Sequence, residues 1–245
     1  MQLQALLARV SPIAVAGPTD CLVERVVQDS RLASPGDLFV AIRGAHVDGH
    51  DFASRVDCAG VVAERAVDVA PDVALVVVSD TRIALAQLAA ALAGDPSEEL
   101  EVVGVTGTNG KTTTTWLLEG ILTTAGKRVG VIGTTGHRIA GVESPARYTT
   151  PEAPAWQGLL RQMVDAECEV VAAEVSSIGL AARRVDATRF GVGVFTQFGR
   201  DHLDFHGDME SYFQVKLRLF TEFSPGVSIL NIDDPAGEKI AAAAG

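Results

Sequence analysis

The chain has 245 residues, 47% hydrophobic and 21% charged, which is the composition of a globular protein long enough for two domains. Its apolar runs are shorter than the roughly 18 residues that a membrane helix needs, and its amino terminus lacks the features of a signal peptide. The formal net charge of −11 argues against nucleic acid as a partner, and three widely spaced cysteines favour a reducing compartment. We therefore expect a cytoplasmic protein with no membrane span and no nucleic-acid partner.

Short apolar runs alternate with helical patterns in the first part of the chain, which predicts a small α/β domain. The predicted strands are Glu24–Gln28, Leu38–Ile42, Val61–Ala63 and Leu75–Val78, and the predicted helices are Gln2–Arg9, Phe52–Cys58 and Thr81–Ala93. The polar segment 94–100 follows the last of these helices. It predicts a domain boundary there, with one domain at 1–98 and a second at 99–245.

The second part of the chain alternates more regularly. The predicted strands are Glu101–Val105, Arg128–Ile132, Glu169–Ala173, Val192–Thr196 and Val227–Leu230, and the predicted helices are Thr112–Ala125, Ala155–Ala166 and Met209–Phe223. This pattern predicts a mostly parallel sheet with helices on both faces. Because ligands of such sheets bind at the carboxyl ends of the strands, we expect the functional residues to lie there.

A glycine-rich segment follows the first strand of this second domain and precedes a helix, which is the context of a phosphate-binding loop. Lys111 would contact the outer phosphates, and the Thr112 hydroxyl would be a magnesium ligand. The general phosphate-loop pattern requires glycine at position 105, where this chain has Val105. A glycine-rich turn that caps a helix is the alternative interpretation.

The segment Gly107-Thr108-Asn109-Gly110-Lys111-Thr112-Thr113 resembles the ATP loop of the Mur ligases and of the related folylpolyglutamate synthetases. Three further groups of residues resemble the MurE type within that family. They are Asp29-Ser30-Arg31 with Pro35–Ala41 and Asp48-Gly49-His50; Thr149-Thr150-Pro151 with Glu174-Val175-Ser176-Ser177; and 200–207 with Lys216. The resemblance implies an α/β protein with a small uridine-nucleotide (UDP-MurNAc) binding domain, followed by a P-loop-type ATP domain that is incomplete.

The resemblance also implies roles for individual residues. The nucleotide-binding residues would be Gly107, Thr108, Asn109, Gly110, Lys111, Thr112, Thr113 and Asn231; the magnesium ligands would be Thr112, Glu174, His202 and Lys216 as a carbamate; the catalytic residues would be Lys111, Lys216 and His202; and the substrate-binding residues would be Ser30, Ala45, His46, Val47, Thr149, Thr150, Ser176 and Arg184. Plainer interpretations remain for Glu174 as a surface carboxylate, His202 as a loop histidine and Lys216 as a solvated lysine.

Enzymes of the MurE type add the third amino acid of the peptidoglycan stem to UDP-N-acetylmuramoyl-L-alanyl-D-glutamate, through an acyl phosphate. The resemblance thus implies ATP, Mg²⁺ and a carbamate derived from CO₂ as cofactors, and a diamino acid as the second substrate. A bias towards arginine over lysine suggests a GC-rich bacterium, which favours meso-diaminopimelate over L-lysine as that substrate.

The domain that recognises the amino acid in this family is absent from the chain, so we expect a monomeric fragment with no ligase activity of its own. Two alternatives stay open. One is another Mur-type ligase, such as a folate or D-alanyl-D-alanine adding enzyme. The other is a non-catalytic module that binds a UDP-sugar or a nucleotide.

Overall fold

The structure, a computed structural model, describes residues 1–44 and 46–244. The chain forms two compact units, Met1–Gly94 and Asp95–Gly245. In neither unit do the described residues form a helix that is both long and apolar enough to cross a membrane.

The first unit contains a five-stranded sheet. Its strands are β1 (Ala14–Ala16), β2 (Arg25–Val27), β3 (Asp37–Val40), β4 (Gly60–Ala63) and β5 (Ala74–Val77), and its α-helices are α1 (Leu3–Leu7) and α2 (Thr81–Leu92). The strand order is β1-β5-β4-β3-β2, and only β1 is antiparallel to its neighbour. The sequence does not predict β1, because its three residues are all exposed and give no pattern of buried positions.

One predicted helix of the first unit differs in type and position. The sequence predicts a helix over Phe52–Cys58, whereas the structure has a 3-10 helix over Gly49–Arg55. The reason is local, since the side chain of Asp48 accepts a hydrogen bond from the backbone N–H of His50 and starts the helix earlier.

The second unit contains a seven-stranded sheet. Its strands are β6 (Glu101–Thr106), β7 (Val129–Gly133), β8 (Gly136–Ile139), β9 (Val142–Ser144), β10 (Val170–Glu174), β11 (Val192–Phe195) and β12 (Val227–Leu230), and its α-helices are α3 (Lys111–Thr124), α4 (Ala153–Asp165), α5 (Ser177–Ala181), α6 (Leu203–His206), α7 (Met209–Thr221) and α8 (Pro235–Ala244). The order is β12-β11-β6-β10-β7-β8-β9. The first five of these strands are parallel, and β8 and β9 extend the sheet as an antiparallel hairpin.

The polar residues after Gly94 belong to the second unit, although the sequence places the boundary at residue 98. Pro96–Glu98 forms a 3-10 helix, and the Ser97 hydroxyl accepts a hydrogen bond from the backbone N–H of Arg189 at 3.0 Å. These residues therefore pack within the second unit instead of forming a linker.

The central strands of the second sheet are covered on both faces, as the sequence predicts. Val171 and Ala173 of β10 lie in a hydrophobic core with Trp156 of α4 and Phe220 of α7. Ala172 points to the opposite face, where it is fully buried and where α3 contacts β10. The α/β fold with a mostly parallel sheet is confirmed.

The strand register brings the candidate functional residues to one edge of this sheet. Glu174, the last residue of β10, is paired with Val105 of β6, and Phe195 of β11 is paired with Thr106. The loops that follow these strands therefore begin at the same edge of the sheet. The candidate functional site consists of residues from these loops.

Candidate functional site

The glycines of the loop between β6 and α3 permit a backbone path that other residues cannot follow. Gly107 has a φ of +144°, and a Cβ atom there would lie 1.9 Å from the hydroxyl oxygen of Thr196. The Thr196 hydroxyl donates to the carbonyl of Asn109 at 2.6 Å. The loop is thus fixed against the end of β11, a contact that the sequence does not predict.

Lys111, the first residue of α3, folds back over this loop. Its Nζ donates to the carbonyl oxygens of Gly107 and Thr108, both at 2.9 Å. Burial lowers the pKa of Lys111, while the charges of Glu174 and Asp201 oppose that effect. A cation held here over a backbone loop is suited to binding phosphate groups.

The start of α3 is open for an anion. Its preceding residue, Gly110, has no side chain to cap the helix, so the first backbone N–H groups of this 14-residue helix remain available to a ligand. The Thr112 side chain is half-buried, and Thr113 and Asn109 are exposed. The sequence assigns these residues to the nucleotide.

Lys216 of α7 is buried, with 1% of its surface exposed, and it reaches the same loop. Its Nζ donates to the carbonyl of Gly107 at 2.8 Å and lies 4.6 Å from the ring centre of Tyr212. Burial, followed by the charge of Lys111, lowers the pKa of Lys216 to about 7. The interpretation of Lys216 as a solvated lysine is therefore wrong, because the helix presents this residue to the interior.

Glu174 is also buried, with 1% exposure, which excludes the interpretation as a surface carboxylate. Both of its oxygens accept hydrogen bonds from Thr134, which follows β7 in the chain: the backbone N–H reaches Oε1 at 2.9 Å and the hydroxyl reaches Oε2 at 3.0 Å. Among the described residues, no lysine or arginine forms an ion pair with it. A buried carboxylate of this kind is suited to a metal ion.

Hydroxyl groups and one arginine lie beside Glu174. The Thr150 hydroxyl donates to the Glu174 carbonyl at 2.8 Å and lies 3.1 Å from the Ser176 hydroxyl, and Thr149 lies 2.9 Å from the Thr134 hydroxyl. The structure thus brings together Thr149, Thr150 and Ser176.

Arg184 joins the same group of residues. Its guanidinium donates to the carbonyl of Thr150 at 3.1 Å and forms an ion pair with Glu152 at 2.5 Å. It also lies over the Tyr148 ring, 4.9 Å from its centre. A substrate carboxylate or phosphate that binds Arg184 would therefore share it with Glu152.

His202 has a left-handed backbone conformation, with a φ of +50°, and its side chain is half-exposed. Its Nε2 lies 3.5 Å from the carboxylate of Asp201, whose charge also acts on Lys111 and Lys216. No cluster of three or more His, Cys, Asp and Glu side chains is present in the part of the chain that the structure describes. Thr112 and Glu174 offer oxygen donors, the type that Mg²⁺ prefers, and His202 offers a ring nitrogen.

Asn231 follows β12 and is exposed. Its side-chain amide donates to the carbonyl of Thr196 at 2.9 Å, and its side-chain oxygen accepts from the backbone N–H of Asp233 at 3.2 Å. Asn231 and the phosphate loop are thereby both tied to Thr196.

The remaining predicted substrate residues lie in the first unit. Ser30 is half-buried, and His46 and Val47 are exposed in the turn that the Gly44 N–H closes on the Val47 carbonyl at 2.9 Å. Ala45 lies outside the described residues.

Sequence reasoning gives no individual role to Thr134, Asp201 or Tyr212. Tyr212 is 1% exposed, and its hydroxyl lies 3.2 Å from that of Thr108. Asp201 stands beside His202 in the Arg-Asp-His segment, so its charge was a usable signal. Thr134 follows a parallel strand, at the level where ligands bind, and its position was the signal that could have found it.

Two family models match the chain. The model described as Mur ligase middle domain matches residues 105–245, and the model described as Mur ligase family, catalytic domain, matches residues 23–93. The UDP-N-acetylmuramoyl-L-alanyl-D-glutamate–2,6-diaminopimelate ligase of Geobacter metallireducens is 43% identical over 251 residues, which cover 98% of this chain and 49% of that protein.

Solved structures of Mur ligases are also similar to this chain. A structure of a UDP-N-acetylmuramoyl-L-alanyl-D-glutamate–2,6-diaminopimelate ligase has a TM-score of 0.86 at 26% identity, covering 100% of this chain and 50% of that chain. MurF ligase from Thermotoga maritima in complex with ADP has a TM-score of 0.58 at 26% identity, covering 92% and 50%. The chain spans about half the length of the relatives it matches. It belongs to the Mur ligase family.

Proposed function

We propose that the chain forms the nucleotide-binding and acceptor-binding part of an ATP-dependent ligase. This ligase adds meso-diaminopimelate, in preference to L-lysine, to UDP-N-acetylmuramoyl-L-alanyl-D-glutamate. The observation that carries the proposal is the convergence of Lys111 and Lys216 on the carbonyl of Gly107, within the phosphate loop. The relative from Geobacter metallireducens, which is named for diaminopimelate, supports the choice of amino acid.

The phosphate loop would bind the phosphates of ATP. Backbone N–H groups at the start of α3, which Gly110 leaves uncapped, would bind the anion, and Lys111 would exchange its two carbonyl acceptors for phosphate oxygens. Asn231, which contacts Thr196 as the loop does, would bind the base.

Thr112, Glu174 and His202 would hold magnesium, and Lys216 would join them as a carbamate. When bound, the metal neutralises charge on the phosphates, which is the main requirement of phosphoryl transfer. A carbamate forms when the neutral amine of Lys216 bonds to the carbon of CO₂ and loses a proton. The pKa of about 7 supports this, because much of the amine is then neutral at physiological pH.

The acceptor would bind through Thr149, Thr150, Ser176 and Arg184, and its uridine end through Ser30, Ala45, His46 and Val47. The acceptor carboxylate would form a bond to the γ-phosphorus of ATP as the bond to ADP breaks. The amine of diaminopimelate would then form the amide as the bond between the acyl carbon and the phosphate oxygen breaks, the amine loses a proton and inorganic phosphate leaves. Holding these groups in line is the contribution of the residues named.

Calorimetric titration tests the proposal directly. The 245-residue chain is expected to bind ADP at one site, more tightly with MgCl₂ than without it, and to bind UDP-N-acetylmuramoyl-L-alanyl-D-glutamate at a separate site. UDP-N-acetylmuramoyl-L-alanine, which lacks the reacting glutamate, is expected to bind more weakly than the dipeptide form. A chain that binds neither ADP nor the dipeptide form contradicts the proposal, and ADP binding alone leaves only the nucleotide half of it standing.

The carbamate is a separate prediction. In ¹³C-bicarbonate solution, the chain is expected to show a carbamate carbon signal by NMR that grows as the pH rises through about 7, since the neutral amine is the reacting form. Lys216→Met should abolish the signal. Lys127→Met is the matched control, because Lys127 is half-exposed and paired with Glu169. A signal that persists in Lys216→Met would place the carbamate elsewhere.

A further inference from the structure

Thr134, in the turn after β7, contacts two groups that belong to different parts of the proposed site. Its backbone N–H and its hydroxyl each donate to one oxygen of the Glu174 carboxylate, at 2.9 and 3.0 Å. One residue therefore satisfies both oxygens of this buried carboxylate. Hydrogen bonds to an ionised acceptor are stronger than neutral ones, so they fix the plane of the carboxylate.

The backbone beside Thr134 supports the same orientation. A Cβ atom at Gly133 would lie 2.3 Å from Oε1 of Glu174. The carboxylate thus lies directly against the backbone of Gly133 and Thr134, and only a glycine at position 133 leaves it that space. Rotation of the carboxylate away from Thr134 would leave a buried oxygen without a donor.

The Thr134 hydroxyl also lies 2.9 Å from the hydroxyl of Thr149. A hydroxyl has one hydrogen, and that of Thr134 is donated to Glu174. Thr149 must then be the donor in their shared bond. The Thr149 hydroxyl thus donates to Thr134, and the Thr134 hydroxyl donates to Glu174. The lone pairs of the Thr149 oxygen remain free to accept a hydrogen bond from the bound acceptor substrate.

We propose that Thr134 is a positioning residue that fixes the Glu174 carboxylate for Mg²⁺ and orients the Thr149 hydroxyl for the acceptor. The inference rests on the proposed function and deepens it. It assigns to one exposed threonine the positioning of both a proposed metal ligand, Glu174, and a proposed acceptor-binding residue, Thr149. Thr134 acts through Glu174 and Thr149.

The test measures the MgCl₂ concentration that gives half-maximal ADP binding. Thr134→Val keeps the shape and the backbone N–H but removes the hydroxyl, and it is expected to raise this concentration about tenfold. ADP binding without metal should not change. Thr134→Ser, which restores the hydroxyl, should return the value to within about twofold of that of the unmodified chain.

Two controls separate this role from a general effect on folding. Thr135→Val changes the neighbouring exposed threonine, whose hydroxyl accepts only from Trp116 in the described structure, and it should bind magnesium and ADP normally. In a Glu174→Gln background, Thr134→Val should have no further effect on the magnesium requirement. Thr134→Ala takes its place if the valine variant does not fold, as judged by its thermal unfolding.

The outcomes are distinguishable. If the unmodified chain binds ADP with a magnesium requirement and Thr134→Val shows the same requirement, the inference is overturned while the proposed function stands. A further loss in the Glu174→Gln background overturns it as well. If the unmodified chain shows no magnesium-dependent ADP binding, the nucleotide half of the proposed function fails, and the role of Thr134 fails with it.

Discussion

Lys111→Ala is expected to weaken the binding of a non-hydrolysable ATP analogue by about a hundredfold, because the variant loses charge-assisted hydrogen bonds to the outer phosphates. The fold should survive the change. The carbonyl of Gly107 keeps a donor in Lys216, and the loop keeps its contacts with Thr196. Calorimetry in the presence of MgCl₂ measures the effect.

Two further variants show whether the loss of affinity depends on removing a positive charge at position 111 and not elsewhere. Lys127→Ala removes an exposed lysine paired with Glu169, and it should bind the analogue as the unmodified chain does. Lys111→Arg keeps the charge but replaces the compact ammonium, so we expect intermediate affinity. Unchanged affinity in Lys111→Ala would remove Lys111 from the nucleotide site.

The backbone conformation of the glycine-rich loop could be predicted from sequence because its requirements are local. Glycines at 107 and 110, Lys111 and a helix start lie within a few residues, and both glycines have the positive φ that the loop needs. The parallel strands were equally visible, since most are short runs of buried apolar residues, and β12, although exposed, is still a mostly apolar run. Local chemistry and periodicity therefore identify the frame of the site.

The contacts that complete the site could not be predicted in that way. Thr134 and Glu174 are 40 residues apart, and they meet only because β7 and β10 are neighbours in register. The β8–β9 hairpin is short, and its residues carry no clear alternation. Helix α8 contains the alanine run that resembles a low-complexity tail, yet Ile240 packs into the core. Each of these features depends on tertiary packing.

Lys216 shows how the two kinds of information combine. The sequence places it on an amphipathic helix, where a lysine is ordinarily solvated, and the resemblance alone singles it out. The structure supplies the physical reason: α7 packs against the sheet with this position inward, and the amine has one carbonyl acceptor and no ion-pair partner among the described residues. A buried cation with so few partners lowers the free energy of unfolding of the chain.

Lys216→Met is therefore expected to stabilise the chain, and by an amount that depends on pH. The pKa of Lys216 falls from 10.5 to about 7, first because of burial and then because of the charge of Lys111. Below pH 7 the amine is charged in both the folded and the unfolded chain, so the full cost of burying the charge is present. Between pH 7 and 10.5 the unfolded chain binds more protons than the folded chain, and the free energy of unfolding rises with pH.

The size of the effect follows from the shift. Each unit of pKa corresponds to roughly 1.4 kcal/mol. We expect the unfolding temperature of Lys216→Met to exceed that of the unmodified chain by roughly 5–10 °C at pH 6, with a gap that shrinks steadily towards pH 9. Thermal unfolding followed by circular dichroism, in buffers freed of CO₂ so that no carbamate forms, measures both values.

The matched control is Lys239→Met, because Lys239 lies on the exposed side of α8 and over the ring of Phe213. It should show no gap that changes with pH. If the gap for Lys216→Met is the same at pH 6 and pH 9, the amine is not titrating between these values and the burial argument is wrong. A gap that closes with rising pH would mean that the fold itself holds the amine of Lys216 ready to lose its proton, before any nucleotide, metal or CO₂ is bound.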